Sequence, residues 1–156
     1  RNLGDELVIA ALFHDLGHLL VGADVDLAGQ GIDDVHEETS AAALAKLYGP
    51  CVTEPVRLHV AAKRYLCGVN PGYYDKLSED SRRSLALQRG PMTAGEIAAF
   101  DRLDHRAAGL ALRLIDDEAK VPGLVTPGLD GYREIAKRFE ARFSKPCAST
   151  GSRHRC

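Results

Sequence analysis

Apolar residues recur along this chain at intervals of three and four, and the runs they form are closed by glycine and proline. That spacing places them on one face of a helix. Leu7, Ala11, Leu12, Leu16 and Leu19 mark a first helix that Gly4-Asp5 can cap and that runs to about Leu20. A polar loop rich in glycine and aspartate follows, from Val21 to Asp34. A second helix is expected from about Val35 to Tyr48, stopped by Gly49-Pro50, and a third from about Val52 to Cys67, ended by Gly68. Asn70-Pro71-Gly72 is a strong turn signal. Ser78 to Gln88 reads as a shorter helix closed by Gly90-Pro91. In Thr93-Ala94-Gly95-Glu96 the threonine and glutamate can satisfy each other's free backbone donors, a capping box. The helix it opens carries through Asp116-Asp117 to about Lys120, with a break expected near Leu103-Asp104. Pro122 and Pro127-Gly128 punctuate a linker, and a last amphipathic helix spans about Asp130 to Phe143. No stretch alternates with the period of two that a sheet requires, so the expected fold class is all-α.

Composition changes this picture little. The chain of 156 residues has room for one domain, expected over 1–143, with a short basic tail over 144–156 expected to be disordered. Apolar residues make up 45% and charged residues 27%, as in ordinary globular proteins. A formal net charge of −2 gives no bulk electrostatic case for nucleic acid or a membrane surface. No apolar run approaches the roughly 20 residues of a membrane span. Cys51, Cys67, Cys147 and Cys156 form no Cys-x-x-Cys pair and read as reduced thiols of a cytoplasmic protein. Nothing in the sequence encodes an oligomeric state. The first residue is Arg1 and a helical pattern begins almost at once, so a truncated N-terminus is expected.

The chemistry gathers around His14-Asp15, followed by Gly17 and His18. Neighbouring helical residues are about 100° apart, so the doublet can reach one cavity, and His18 lies one turn beyond His14. The imidazole can ligate one ion while the two aspartate oxygens bridge to a second. Further donors follow: His36 at the start of the second helix, His59 in the middle of the third with Lys63 one turn later, and Asp116 near the end of the long helix. Imidazoles with carboxylates suit iron, manganese or magnesium better than a thiolate zinc site. A single histidine on a helix is ordinarily a packed or surface residue; the conjunction of the doublet with two more histidines and a late aspartate is what favours a metal site. Asp117, Glu37 and Glu38 read as solvated charges, and His105 and His154 fit no pattern.

The order His-Asp, His, His, Asp resembles the HD superfamily, an all-helical bundle around a dinuclear metal site. Within it the segments Asp5 to His18, His36 to Ser40, His59 to Cys67 with Lys63, Tyr73-Tyr74, Leu77-Ser78, Gln88 to Met92 and Ile115 to Lys120 are similar to the mixed-valent di-iron oxygenases. The nearer resemblance is to the 2-amino-1-hydroxyethylphosphonate dioxygenase family of phosphonate catabolism, over roughly residues 5 to 120. The run from His59 to Cys67 is its most specific part. This resemblance implies two iron ions, Fe(II) and Fe(III), with manganese or another divalent ion as the alternative that the ligand set would also accept. It implies His14 and Asp116 on one ion, His36 and His59 on the other, and Asp15 between them. It implies His18 and Lys63 at the substrate, with Ser81, Ser84, Gln88 and Arg113 as further phosphonate contacts. A dianionic phosphonate calls for a cation and several donors, which a lysine, two hydroxyls and an amide supply. The family also carries another iron-binding histidine, with a tyrosine and a glutamate near the substrate's amino end, on a helix before the doublet, upstream of Arg1.

The expected activity is iron- and O2-dependent cleavage of the C–P bond of a small 1-hydroxy-2-aminoalkylphosphonate, releasing phosphate and glycine or a related acid. A metal-dependent phosphohydrolase acting on a nucleotide or another phosphate ester is the alternative. A domain that keeps the fold and only binds a ligand or partner is a third reading. Lys63 with Ser81, Ser84 and Gln88 suits a compact phosphonate, and no aromatic platform for a base is evident.

Overall fold

The computed structural model describes residues 4–21, 35–119, 121, 123–126 and 128–143. The order of elements is α1 (Asp5–Phe13), α2 (Leu16–Val21), α3 (His36–Leu44), α4 (Pro50–Val69), α5 (Pro71–Tyr74), α6 (Glu79–Leu87), α7 (Ala94–Phe100), α8 (Arg106–Ala119) and α9 (Leu129–Phe143). Among the described residues there is no strand, so the all-α expectation holds. The glycine- and aspartate-rich loop over 22–34, the linker prolines Pro122 and Pro127, and the basic tail with Cys147, His154 and Cys156 lie outside the described residues. No helix among the described residues is long and apolar enough to cross a membrane.

The local chemistry explains most of the boundaries. Asp5 and Glu6 sit in the first turn of α1, where carboxylates oppose the positive end of the helix dipole. Ser78 caps α6 by accepting from Ser81 N, and Thr93 with Glu96 forms the expected capping box on α7. Pro50 occupies the first position of α4, where its missing N–H costs nothing. The long helix is broken into α7 and α8 over 101–105, close to the expected place. Asn70-Pro71-Gly72 does turn the chain, with Asn70 Oδ1 accepting from Gly72 N at 3.2 Å, and it also nucleates the single turn of α5.

The central helix is α4, packed by α1, α3, α5, α7 and α8. Ile9, Ala10, Ala41, Leu44, Val52, Val56, Leu112 and Phe139 form the main core, drawn from α1, α3, α4, α8 and α9. A smaller cluster of Cys67, Tyr73, Leu77 and Leu85 lies where α4, α5 and α6 meet. Close approach of α4 and α8 depends on Gly109: a Cβ there would stand 2.8 Å from Leu58 Cβ. One expectation is corrected. The first helix does not run unbroken to Leu20 but stops at Phe13 and restarts at Leu16. Cys67 is a free, buried thiol.

Candidate metal centre

The break after α1 places the His14-Asp15 doublet in the turn between two helices. Restarting the chain at Leu16 lets Gly17 N donate to Ser40 Oγ at 2.7 Å and lays Gly17 against the start of α3. The contact admits no side chain, for a Cβ on Gly17 would lie 2.3 Å from the His36 carbonyl oxygen. Val35, before His36, has φ 44, a conformation that β-branched residues rarely adopt. His36 thus enters α3 with its ring stacked on His18, ring centroids 4.1 Å apart. His59 comes from the middle of α4, and Asp116 from the last turn of α8.

These residues converge. His14 Nε2 is 3.2 Å from Asp15 Oδ2 and 3.5 Å from Asp116 Oδ1. Asp15 Oδ1 faces the other way, 3.5 Å from His36 Nε2 and 3.9 Å from His59 Nε2. The two histidine Nε2 atoms are 3.2 Å apart. Each oxygen of Asp15 therefore addresses a different set of imidazoles. The donors fall into two overlapping groups, His14 with Asp15 and His59, and Asp15 with His18 and His36, each with its ligand atoms within 4.8 Å of one another.

The tautomers follow from the outer contacts. His14 Nδ1 is 2.8 Å from the Ala11 carbonyl and His59 Nδ1 is 2.7 Å from that of Val56, so each Nδ1–H is spent on the backbone. In the neutral ring each Nε2 then turns a lone pair inward. That of His59 can accept from His36 Nε2 at 3.2 Å, while His14 Nε2 faces the carboxylates of Asp15 and Asp116. His14 Nε2 is buried and makes no hydrogen bond. The donor set thus fits metal ions, and the backbone carbonyls supply the outer contacts that orient ligating imidazoles.

Proton affinities differ sharply within the cluster. Burial opposes a charge on His14, yet the carboxylates of Asp116 and Asp15 raise its pKa from 6.5 to about 10. Burial would raise Asp15, but His14 beside it outweighs that and lowers it to about 2. Burial drives His59 down to about 3 against the Val56 carbonyl, and the neighbouring His36 and His14 add to the fall. The cluster favours one positive charge near His14 and rejects a second near His59.

Beside it lies a polar shelf. Lys63, one turn or about 6 Å along α4 from His59, is 3% exposed and its Nζ donates to Ser84 Oγ at 2.8 Å. Ser84 Oγ donates to the Ser81 carbonyl at 3.2 Å, and Ser78 Oγ donates to Ser81 Oγ at 3.1 Å. Gln88 is buried with its Oε1 free of any hydrogen bond. A cavity of about 340 Å³ is lined by Arg57, Ala61 and Arg64 of α4 with Glu37, Glu38, Gln88 and Arg89; it includes Gln88 of the shelf but none of the candidate metal ligands.

Arg113, expected at the phosphonate, is spent elsewhere. Its Nη1 donates to Asp116 Oδ2 at 2.7 Å, its Nε donates to Tyr73 Oη at 3.0 Å, and its Nη2 donates to Asp117 Oδ1. Tyr73 in turn donates to Asp117 Oδ2. Asp117, read as a solvated charge, is thus half-buried and fully engaged. The available signal was its place four residues after Arg113 on one helix face. Glu37 is also half-buried, its Oε2 3.8 Å from His36 Nδ1, whereas Glu38 faces Arg57 at the surface, 3.6 Å away.

In this all-helical bundle, imidazoles and carboxylates from α3, α4, α8 and the turn after α1 come together in groups that could hold metal ions. No family model matches the chain. It is 46% identical over 128 residues, 81% of its length, to a hydroxymethylphosphonate dioxygenase of Gimesia maris. It is 39% identical over 135 residues to the [1-hydroxy-2-(trimethylamino)ethyl]phosphonate dioxygenase (glycine-betaine-forming) of Leisingera caerulea, and 30% identical over 133 residues to an uncharacterised protein of Acanthamoeba polyphaga mimivirus. The chain belongs to the phosphonate dioxygenase family. The matches span 64%, 69% and 61% of those relatives' own lengths, so the chain covers about two thirds of each.

Proposed function

We propose that the protein is an HD-type di-iron oxygenase that cleaves the C–P bond of a small 1-hydroxyphosphonate. The observation that carries this reading is Asp15, whose two oxygens face two different sets of imidazoles, in a chain that belongs to the phosphonate dioxygenase family. His14 and Asp116 would hold one ion, His36 and His59 the other, with Asp15 between them. Iron held there would supply the activation of O2 and the removal of hydrogen from the carbon that bears the hydroxyl. Manganese fits the same donors.

The remaining work falls to the protein. Lys63 neutralises phosphonate charge, and Ser84, already its hydrogen-bond partner, adds a donor from α6. Ser81 and Gln88 continue that shelf along the same helix face. His18, stacked on His36, would meet the substrate beside the cluster. Together they hold the phosphonate at one end so that the reacting carbon meets the metal centre in one orientation. The three bonds of Arg113 to Tyr73, Asp116 and Asp117 support a role behind Asp116 rather than at the phosphonate.

The net reaction combines one hydroxyphosphonate with one O2 to give one carboxylic acid and one phosphate, each gaining an oxygen as the C–P bond breaks. A 1-hydroxy-2-aminoalkylphosphonate, giving glycine or a related acid, is the substrate this reading favours. The test is phosphate release and O2 consumption by iron-loaded protein with 2-amino-1-hydroxyethylphosphonate, its trimethylated form and hydroxymethylphosphonate. One O2 consumed per phosphate is the expected result. Phosphate released from phosphate esters without O2 uptake would replace this reading with a phosphohydrolase, and metal bound without turnover of any of these would leave a binding domain.

A further inference from the structure

We infer that Tyr73 and Asp117 are positioning residues for the metal centre, closing with Arg113 a ring of hydrogen bonds that fixes the guanidinium against the outer oxygen of Asp116. This rests on the metal-centre reading above and extends the role given there to Arg113. The ring is complete: Arg113 donates to Tyr73 Oη through Nε and to Asp117 Oδ1 through Nη2, and Tyr73 donates to Asp117 Oδ2. Only Nη1 reaches beyond it, to Asp116 Oδ2.

The consequence for Asp116 is geometric and electrostatic. Its Oδ2 is held by Arg113, which leaves Oδ1 facing His14 Nε2 at 3.5 Å as the oxygen that would be offered to an ion. A guanidinium bound to that carboxylate alone would draw charge from it and weaken it as a donor. Asp117, about 100° around α8 from Asp116, takes a second share of the Arg113 charge. Tyr73 sets the angle of the fork by occupying Nε. Packing does not explain the hydroxyl, because the ring of Tyr73 sits with Cys67, Leu77 and Leu85 and a phenylalanine would fill that place. The short helix α5 thus contributes one oxygen to a contact that ends at the metal centre.

Mn(II) alone, with the free ion counted by electron paramagnetic resonance, gives a readout that does not depend on activity. The wild-type protein is expected to bind two equivalents. In Tyr73→Phe and in Asp117→Asn, one equivalent should weaken by about 10–100-fold, the usual cost of losing an outer contact to a ligand, while the other keeps its affinity. Tyr65→Phe, which removes a surface hydroxyl bonded to Asp101 at 3.1 Å, serves as the control and should change neither. Both equivalents unchanged in the two variants, or both weakened alike as in a general loosening, would overturn the inference while leaving the metal centre intact. A wild-type protein that binds no Mn(II) would instead remove the metal-centre reading, and the inference with it.

Discussion

Two groups of charge lie side by side in this bundle, and they are built on different principles. Around Arg113 the donors and acceptors match: guanidinium, phenol and two carboxylates satisfy one another in a closed pattern. Around Asp15, half of whose side chain is exposed, carboxylate oxygens and imidazole nitrogens crowd at 3.2–3.9 Å, with a hydrogen bond between His36 and His59. The closed network is scaffolding; the second group gathers donor atoms within 4.8 Å of one another, an arrangement that could hold a cation. The proton affinities divide in the same way. Burial opposes the Arg113 charge, but Asp116, Tyr73 and Asp117 raise its pKa above the ordinary value, whereas His14 and His59, neighbours in one cluster, are driven apart to about 10 and about 3.

The sharpest break of this comparison is Asp15→Ala. Removing the residue shared by both donor groups should cost more than the roughly 10–100-fold loss typical of an outer contact, and should abolish turnover. Metal at a hundredfold excess over its dissociation constant should stabilise the wild-type protein by about 2.7 kcal/mol, and Asp15→Ala by almost nothing. Thermal unfolding with and without Mn(II) measures both. An equal metal-dependent shift in the two proteins would show that the ion binds elsewhere.

Arg113→Met tests the satisfied side. It leaves two carboxylates without their cation, and loss of one partner of a buried pair costs about 3–5 kcal/mol. Denaturant unfolding of the metal-free protein should show that loss directly. A change below 1 kcal/mol would mean the network is wetter than its burial suggests.

Gly17→Ala should be milder in stability and telling in function. The added methyl would meet the His36 carbonyl, forcing α2 and α3 apart at a cost of about 1–3 kcal/mol. Because that contact seats His36, metal affinity should fall as well. Stability lost with affinity retained would place the helix contact outside the site's requirements.

The smallest effect belongs to a third electrostatic group, at the surface. Glu96 accepts from Thr93 N and from Arg64, and its pKa falls from 4.5 to about 2, the Thr93 backbone contributing most. A depressed carboxylate stabilises the fold above its unfolded pKa and loses that contribution as pH drops through the folded one. The difference in melting temperature between wild type and Glu96→Gln should therefore be full at neutral pH and shrink between pH 4.5 and about 2. A difference independent of pH would mean that the amide caps α7 as well as the carboxylate does.

The sequence was most legible where the physics is local. Helix periodicity, the Gly49-Pro50 and Asn70-Pro71-Gly72 breakers and the Thr93–Glu96 capping box each depend on residues within a few positions of one another, and each appears in the structure. The break at His14-Asp15 was hidden, because the first breaker residue, Gly17, comes only after it and the cause is a contact with α3, 23 residues away at Ser40. Asp117 was misread for a related reason: two adjacent aspartates look alike in a sequence, and only the packing of α5 on α4 brings Tyr73 to one of them.

By itself, then, the sequence determined the helical alphabet of this protein and the kinds of ligand it carries, since both are written in spacing and in side-chain chemistry. Tertiary structure decided which oxygen of Asp15 faces which histidine, that Arg113 turns towards Asp116, and which charges are inside. Those outcomes depend on helices from distant parts of the chain meeting around α4, and such meetings are fixed by packing in three dimensions rather than by any local pattern.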